Sequence, residues 1–256
     1  MSVAGGDVSL QVLEPDWPAP KAVRAAFTLR TGGVSAPPYD SLNIGAHVGD
    51  SPEAVSKNRR RVHAQLGLPG EPVWLEQVHG IEVVDLDSLG PESLAASLTA
   101  DAAIARCRGS VCVMQVADCM PVLFAARDAS AVAAAHAGWR GLAAGVLEAA
   151  VARLDLPPRE LIAWLGPAIG PRHFEVGEEV RSAFLQHDAA AAAAFSANTR
   201  GRWQCDLAAL ARGRLASVGI DAVWGGSWCT YSDPARFFSY RRDGRCGRMA
   251  ALIWLE

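Results

Sequence analysis

The chain has 256 residues, of which 50% are hydrophobic and 20% charged, and this is the composition of an ordinary globular protein. A formal net charge of -3 argues against nucleic acid or a membrane surface as the main partner. Apolar runs are too short for a membrane span, no signal-peptide pattern opens the chain, and six irregularly spaced cysteines do not form a disulfide framework, so we expect a soluble protein of the reducing cytoplasm.

The first part of the chain is predicted to contain a loose start, one strand and one helix. We expect residues 1–22 to be loosely ordered and residues 23–256 to form one domain. Residues 25–30 are apolar enough for a strand. A helix is predicted to follow Asp50 or Ser51 as its cap, with Pro52 in its first turn, and to end at Gly67.

The middle of the chain is predicted to be rich in short strands. His79 falls between the first two, Cys119 between the third and fourth, and His136 at the end of the fifth. The predicted strands are residues 72–78, 82–86, 111–116, 122–126 and 131–135.

Helices and strands continue to alternate to the end of the chain. Helices are predicted over residues 141–154, 178–187 and 206–218, and the alanine run 189–194 reads as an extension of the second. Strands are predicted over residues 162–165, 223–225 and 249–254. This mixture, without a linker or internal repeat, predicts a single α/β or α+β domain.

His79, Cys119 and His136 are the residues that point to chemistry. One thiolate and two imidazoles meet the ligand count of a catalytic zinc site, with a fourth position open to water or substrate. Each lies at a strand end, where loops from one sheet edge converge. Asp118 could orient a ligand or exchange protons. The same residues also contain a Cys–His nucleophile pair, with His136 as base, so metal-dependent and metal-free chemistry both stay open.

Eight short motifs follow one another along the chain, namely Ser41-Leu42-Asn43-Ile44-Gly45, His47-Val48-Gly49-Asp50, Asn58-Arg59, Gln77-Val78-His79-Gly80, Ala117-Asp118-Cys119-Met120-Pro121, His136-Ala137-Gly138-Trp139-Arg140-Gly141, Gly166-Pro167-Ala168-Ile169-Gly170 and Phe237-Phe238-Ser239-Tyr240-Arg241-Arg242. In this order they resemble the YfiH-type laccase-domain family, and the resemblance spans about residues 27–255.

The resemblance implies a layered α/β/β/α sandwich with mixed sheets and a metal, usually zinc, held by His79, Cys119 and His136. It implies phosphorolysis of adenosine, inosine, guanosine and methylthioadenosine, together with adenosine deamination. Purine nucleosides and phosphate would be the partners. By the same resemblance, Asn43 and Arg59 lie at the nucleoside or phosphate site.

The implied reactions suggest further residues. Phosphate binding favours arginine, for which Arg59, Arg140 and Arg241 are candidates, with Arg241 expected to join Arg59 at the metal site. Asp118 or Glu76 could shuttle protons during deamination. Trp139, Phe238 and Tyr240 are aromatic side chains that could stack on a purine.

Other functions remain open from the sequence. A four-copper oxidase would need more imidazoles than six histidines supply, but a single-copper polyphenol oxidase is compatible with one thiolate and two imidazoles. A metal-free hydrolase or deamidase and a structural zinc protein are the remaining alternatives.

Overall fold

The computed structural model describes residues 10–90 and 98–256 and contains three β-sheets with helices packed outside them. The strands are β1 (Val12–Leu13), β2 (Val23–Thr28), β3 (Val83–Asp85), β4 (Ala102–Ala105), β5 (Val111–Val116), β6 (Met120–Ala126), β7 (Val132–Ala137), β8 (Leu161–Leu165), β9 (Glu175–Val176), β10 (Phe195–Ala197), β11 (Trp203–Cys205), β12 (Val223–Gly225) and β13 (Met249–Leu255). The α-helices are α1 (Pro52–Leu66), α2 (Trp139–Ala144), α3 (Val146–Leu154), α4 (Glu178–Leu185), α5 (Leu207–Ser217) and α6 (Tyr240–Asp243).

Two larger sheets form the centre of the fold. One has the strand order β1-β2-β13-β5, and the other has the order β12-β8-β6-β7-β4-β3 with mixed parallel and antiparallel pairs. Their facing surfaces share one apolar core, to which Ile253 contributes from the first sheet and Leu123 from the second. A third, small sheet has the strand order β10-β11-β9, and in the described part of the chain none of its strands pairs with a strand of the two larger sheets.

Helices cover the outer faces of both large sheets. Val62 of α1 packs with Leu252 on the outside of the four-stranded sheet. Leu147 of α3 and Leu210 of α5 pack with Phe124 on the outside of the six-stranded sheet. Neighbouring strand residues point to opposite faces, so Leu252 and Ile253 serve different layers. The predicted α/β fold with layers in the order α/β/β/α is confirmed.

Most predicted elements are present, with bounds shifted by a residue or two. Ser51 caps α1 by accepting a hydrogen bond from the Ala54 amide, and Gly67 ends the helix with a φ of 57°. The predicted helix over 141–154 is instead two helices, because Gly145 has a φ of 106°, which an α-helix does not tolerate. The alanine run is a separate 3-10 helix, Ala189–Ala194, begun by a new cap at Asp188.

Two further expectations differ from the structure. Residues 72–78 do not form a strand, and only Glu76 makes an isolated bridge, to Thr99. Within the N-terminal segment expected to be loose, Leu10 is buried and β1 pairs with β2, while residues 1–9 lie outside the described part. Among the described residues, no helix is long and apolar enough to cross a membrane.

The connection between β5 and β6 carries the chain from one large sheet to the other. β5 pairs with β13 in the four-stranded sheet, and β6 pairs with β7 and β8 in the six-stranded sheet. Asp118, with a φ of 87°, forms the corner, and Cys119 follows it directly. The crossing between sheets therefore places Cys119 where both sheets end.

Candidate metal centre and substrate cavity

The structure brings His79, Cys119 and His136 together. One ligand atom from each lies within 4.8 Å of the others, and Cys119 Sγ is 3.6 Å from His79 Nε2. The two imidazole rings meet edge to face, with centroids 4.8 Å apart. Ligand atoms around a tetrahedral zinc ion are about 3.5 Å apart, given metal–ligand distances of about 2.0–2.3 Å. A metal of this size therefore fits the group after a small adjustment.

Three different elements supply these side chains. His136 lies inside β7, opposite Pro121 of β6. Cys119 precedes β6 at the crossing between sheets. His79 lies in the loop before β3 and has a φ of 64°, a left-handed conformation that non-glycine residues rarely adopt. The strained backbone at His79 turns its imidazole towards the other two residues.

Asp101, which the sequence analysis missed, holds the histidines in place. Its side chain is buried, and its Oδ1 lies 2.7 Å from His136 Nδ1, leaving His136 Nε2 for the centre. The same carboxylate accepts hydrogen bonds from the backbone amides of Val78 (3.1 Å), His79 (2.9 Å) and Gly80 (2.6 Å). A carboxylate behind a ligating histidine fixes the ring and raises its basicity. The residue thus supports two of the three ligands.

The protonation of the centre favours ligation through sulfur. Burial alone would raise the pKa of Cys119, but the charges and hydrogen bonds of His136 and His79 lower it to about 6. Burial alone would lower the pKa of His136, but Cys119 and Asp101 raise it to about 9. Without a metal the pair is therefore a thiolate and an imidazolium at neutral pH. The thiolate is the form that binds soft and borderline metals.

Gly138 is required by the close packing of the ligands. A Cβ atom at this position would lie 2.6 Å from His79 Cδ2 and 3.0 Å from Cys119 Sγ. At Gly141 the same atom would lie 2.9 Å from the carbonyl oxygen of Gly80. The two glycines of this motif thus allow α2 to begin against the loop that carries His79.

The three ligands open into a cavity of about 920 Å³, which is large enough for a nucleoside-sized ligand. Its wall carries several charged and aromatic side chains. The residues that line it are Ala46, His47, Arg59, Trp74, Leu75, Glu76, Gln77, Val78, His79, Gln115, Val116, Ala117, Cys119, His136, Arg140, Tyr240 and Arg248.

Part of the predicted substrate set reaches this cavity. Arg59 and Arg140 line it, as do the predicted proton shuttle Glu76 and the predicted stacking residue Tyr240, whose side chain is largely exposed. Arg248, which the sequence analysis did not name, lines it as well. These groups can contact a substrate bound at the metal centre.

Three predicted site residues, Asn43, Asp118 and Arg241, do not line the cavity and bond within the fold instead. Asn43 is fully buried, and its amide bonds to Gly45 and Asp50. Asp118 accepts hydrogen bonds from Thr230 Oγ1 and from the Arg241 amide, both at 2.6 Å, so its carboxylate holds the corner instead of facing the cavity.

The Arg241 guanidinium also points elsewhere. It donates to the Glu175 carbonyl at 2.9 Å and lies over the Phe174 ring, outside the cavity wall. Of the predicted stacking residues, Phe238 is buried in the core between the sheets, and Trp139 packs against the core on the helical side. Arg241, Phe238 and Trp139 therefore do not line the cavity that the three candidate ligands share.

Comparisons with known proteins cover nearly the whole chain. Residues 24–256 match the family model described as multi-copper polyphenol oxidoreductase laccase. A purine nucleoside phosphorylase of Pseudomonas aeruginosa is 56% identical over 246 residues, covering 95% of this chain and 98% of the relative. The purine nucleoside phosphorylase YfiH of Escherichia coli is 53% identical over 245 residues, covering 96% and 99%. A crystal structure of a Neisseria meningitidis protein superimposes with a TM-score of 0.91 at 48% identity, covering 96% of this chain and 99% of that chain.

Proposed function

The chain belongs to the multi-copper polyphenol oxidoreductase laccase family, and we propose that it is a zinc-dependent purine nucleoside phosphorylase that also deaminates adenosine. The observation that carries the proposal is the single cavity in which a Cys–His–His centre faces three arginines. Relatives at more than 50% identity bear the name purine nucleoside phosphorylase, which supports the same reaction here. Adenosine, inosine, guanosine and methylthioadenosine are the proposed substrates.

The donor set suits zinc better than a multi-copper cluster. One thiolate and two imidazoles, with a fourth position open, are typical of catalytic zinc. Among the described residues only one group of histidine, cysteine or acidic side chains is close enough to hold a metal, so several coppers have no second site there. Copper can occupy the same three ligands, because it binds nitrogen and sulfur donors more tightly than zinc does. The metal in protein purified without added metal decides between the two.

Phosphorolysis requires an anion to be held against the sugar. A phosphate oxygen forms a bond to C1′ of the ribose, the bond from C1′ to the purine nitrogen breaks, and its electron pair leaves with the base, which takes up a proton. The products are the free purine and ribose 1-phosphate, or 5-methylthioribose 1-phosphate when methylthioadenosine is the substrate. Guanidinium groups bind phosphate oxygens in pairs and balance their charge, a task that suits Arg59 and its neighbours in the cavity wall.

Deamination requires water to be activated at C6 of the purine and ammonia to receive a proton. Bound zinc would supply Lewis acidity, lowering the pKa of water and polarising a substrate atom. Glu76 lines the cavity and is the carboxylate we propose for proton transfer. Asp118 is not proposed for this role, since Thr230 and Arg241 occupy its oxygens.

A second candidate function has a specific observation in its favour. Cys119 and His136 form a thiolate–imidazolium pair even without a metal, as a Cys–His hydrolase or deamidase requires. In that case activity would survive exhaustive chelation and would be lost on thiol alkylation. The zinc-dependent enzyme would lose activity on chelation and regain it with zinc.

The experiment that tests the proposal is a substrate panel. Adenosine, inosine, guanosine and methylthioadenosine are incubated with zinc-loaded protein, with and without phosphate, and free base, the corresponding sugar 1-phosphate and ammonia are measured. We expect base release that depends on phosphate and ammonia release from adenosine that does not. No product from any of the four nucleosides would refute the proposal.

The six cysteines are all free, which supports activity in the reducing cytoplasm.

A further inference from the structure

Three arginines of the cavity wall have no acidic partner within residues 10–90 and 98–256. They are Arg59, Arg140 and Arg248. Some arginines elsewhere pair closely with carboxylates, as Arg106 does with Asp85 at 2.9 Å and Arg214 with Glu148 at 2.7 Å, but within the described residues none of these three does so. In a protein of net charge -3, cations left without carboxylate partners in one cavity indicate a site for an anionic ligand.

One nitrogen of the Arg59 guanidinium is hydrogen-bonded within the protein, and the other two are available to a ligand. Its Nε donates to the Ile44 carbonyl at 3.0 Å, and its guanidinium carbon lies 3.9 Å above the centre of the Trp74 ring. Its two Nη atoms donate to no acceptor in the described part of the chain. Burial lowers the pKa of Arg59 to about 10, an effect that Glu71 partly offsets, so the group stays charged at neutral pH. The result is a rigid pair of donors on the cavity wall.

Arg248 is held in a similar way. Its backbone amide donates to Asn43 Oδ1 at 2.8 Å, and its Nη1 donates to the carbonyls of Cys246 and Gly247. The side chain passes close over Gly45, where a Cβ atom would lie 2.7 Å from Arg248 Cγ. Its Nε and Nη2 bond to none of the described residues. The buried Asn43, expected to bind substrate directly, therefore positions Arg248.

His47 lines the same cavity as both arginines. Burial is the main cause of the lowered pKa of His47, and the charges of Arg248, Arg59 and then His136 lower it further. A neutral imidazole keeps one N–H to donate. Glu76 is the one carboxylate among the described residues that line this wall, so positive charge prevails there.

We propose that Arg59, His47 and Arg248 form one binding subsite for orthophosphate, within reach of the metal centre. The inference rests on the proposed phosphorolysis and assigns its second substrate to these residues. Two guanidinium groups supply paired donors to the phosphate oxygens, and His47 supplies a further one. The bound phosphate then faces the metal centre, where its oxygen attacks C1′ as the purine leaves.

Binding of orthophosphate tests the subsite without any turnover. Titration calorimetry at constant ionic strength compares zinc-loaded wild type with Arg59→Ala, Arg248→Gln and Arg60→Ala. Arg60 neighbours Arg59 on the exposed side of α1 and, among the residues that the structure describes, bonds to Ser56 alone, so its variant is the matched control. We expect phosphate Kd to rise at least about tenfold in the first two variants and to stay unchanged in the control. Equal affinity in all four proteins would overturn the proposal.

Further variants separate a loss of phosphate binding from a loss of structure, and a second ligand tests whether the subsite binds orthophosphate or a phosphate ester. Because Nη1 of Arg248 also holds its own loop, Arg248→Lys and His47→Gln are measured together with the thermal midpoint and zinc content. A folded, zinc-loaded Arg248→Lys should bind phosphate more weakly than wild type and more tightly than Arg248→Gln. If adenosine 5′-monophosphate binds to this subsite and orthophosphate does not, the ligand is a phosphate ester and the assignment to orthophosphate is wrong.

Kinetics separate this inference from the proposed function. In the same variants the KM for phosphate should rise at least about tenfold, while the KM for inosine changes less than threefold and deamination of adenosine is retained. Phosphate binding that these residues control, without phosphorolysis of any nucleoside, would leave the subsite standing and refute the function. Phosphorolysis with an unchanged phosphate KM in the variants would support the proposed function and refute the phosphate subsite.

Discussion

The His136 imidazole and the Asp101 carboxylate lie 2.7 Å apart, and Asp101 also accepts hydrogen bonds from the backbone amides on either side of His79 and from His79 itself. One buried carboxylate thus orients two ligands that are far apart in the sequence. Its loss should disturb the metal centre more than the fold around it, because β4 and β7 pair independently of this side chain.

Asp101→Asn should therefore weaken zinc binding by about 10- to 100-fold, the usual effect of losing a carboxylate behind a ligating histidine. Competition with a chelator of known affinity measures this. Asp87→Asn is the control, since Asp87 also accepts from backbone amides, those of Arg106 and Cys107, but lies away from the metal centre. Zinc affinity that falls equally in both variants would show that Asp101 acts only through stability.

Cys119→Ala should abolish zinc retention and nucleoside turnover, because it removes the only sulfur ligand in the group. Zinc content by elemental analysis and base release are the two readouts. Cys107→Ala is the control, as Cys107 is an exposed thiol elsewhere on the surface. A Cys119→Ala protein that keeps one zinc per chain and normal turnover would exclude Cys119 from the centre.

Gly138→Ala should damage the centre through a single methyl group. The new Cβ would lie within 3.0 Å of His79 and Cys119, so one of the two side chains has to move. We expect at least a tenfold loss of zinc affinity, with α2 still formed.

Gly213→Ala in α5 provides the comparison for this variant. Nothing lies within 4 Å of the added Cβ there, and alanine favours a helix over glycine by about 1 kcal/mol. The thermal midpoint of Gly213→Ala should rise slightly with zinc affinity unchanged. Unaltered zinc affinity in Gly138→Ala would contradict the geometry of the site.

The reactivity of Cys119 in the metal-free protein should follow its lowered pKa. A thiol whose pKa is lowered to about 6 is a thiolate above that pH, so the rate of alkylation by iodoacetamide should rise through about pH 6 and then level off. In His136→Asn the charge that lowers the pKa is gone, and burial then moves the rise to well above neutral pH. Mass spectrometry of the Cys119 peptide follows the reaction. The same pH profile in both proteins would show that His136 does not stabilise the thiolate.

The helices, the strands and the three candidate ligands could be predicted because they have local signatures. Apolar runs of strand length and a capped helix identify the elements, and the candidate ligands stand at the ends of those runs. The order of the layers was implied only by the family resemblance. Asp101 was missed because it is a single acidic residue directly before the short strand β4, where one acid gives no periodic signal. The one available signal was its position next to a fully apolar run, since a buried carboxylate there needs several hydrogen-bond donors.

The sequence alone could not show which C-terminal arginine lines the cavity. Arg241 and Arg248 lie seven positions apart in one C-terminal stretch, and nothing local distinguishes them. The antiparallel pairing of Met249 with Val116 places Arg248 beside the crossing that carries Cys119, while Arg241 is turned towards Glu175 by α6. This long-range register decides which arginine faces the cavity. Likewise, Asp118 looked catalytic from its neighbour Cys119, but the left-handed corner turns its carboxylate towards Thr230.

Oxygen tracing with adenosine distinguishes zinc-dependent phosphorolysis and deamination from hydrolysis of the glycosidic bond. Zinc-loaded protein is incubated with adenosine and phosphate in water enriched in oxygen-18, and the products are analysed by mass spectrometry. We expect ribose 1-phosphate without solvent oxygen at C1′, and inosine or hypoxanthine that carries one solvent oxygen at C6. Chelation should remove both products and zinc should restore them. Free ribose labelled at C1′, or turnover that is unchanged after complete removal of zinc, would contradict the proposed zinc-dependent phosphorolysis.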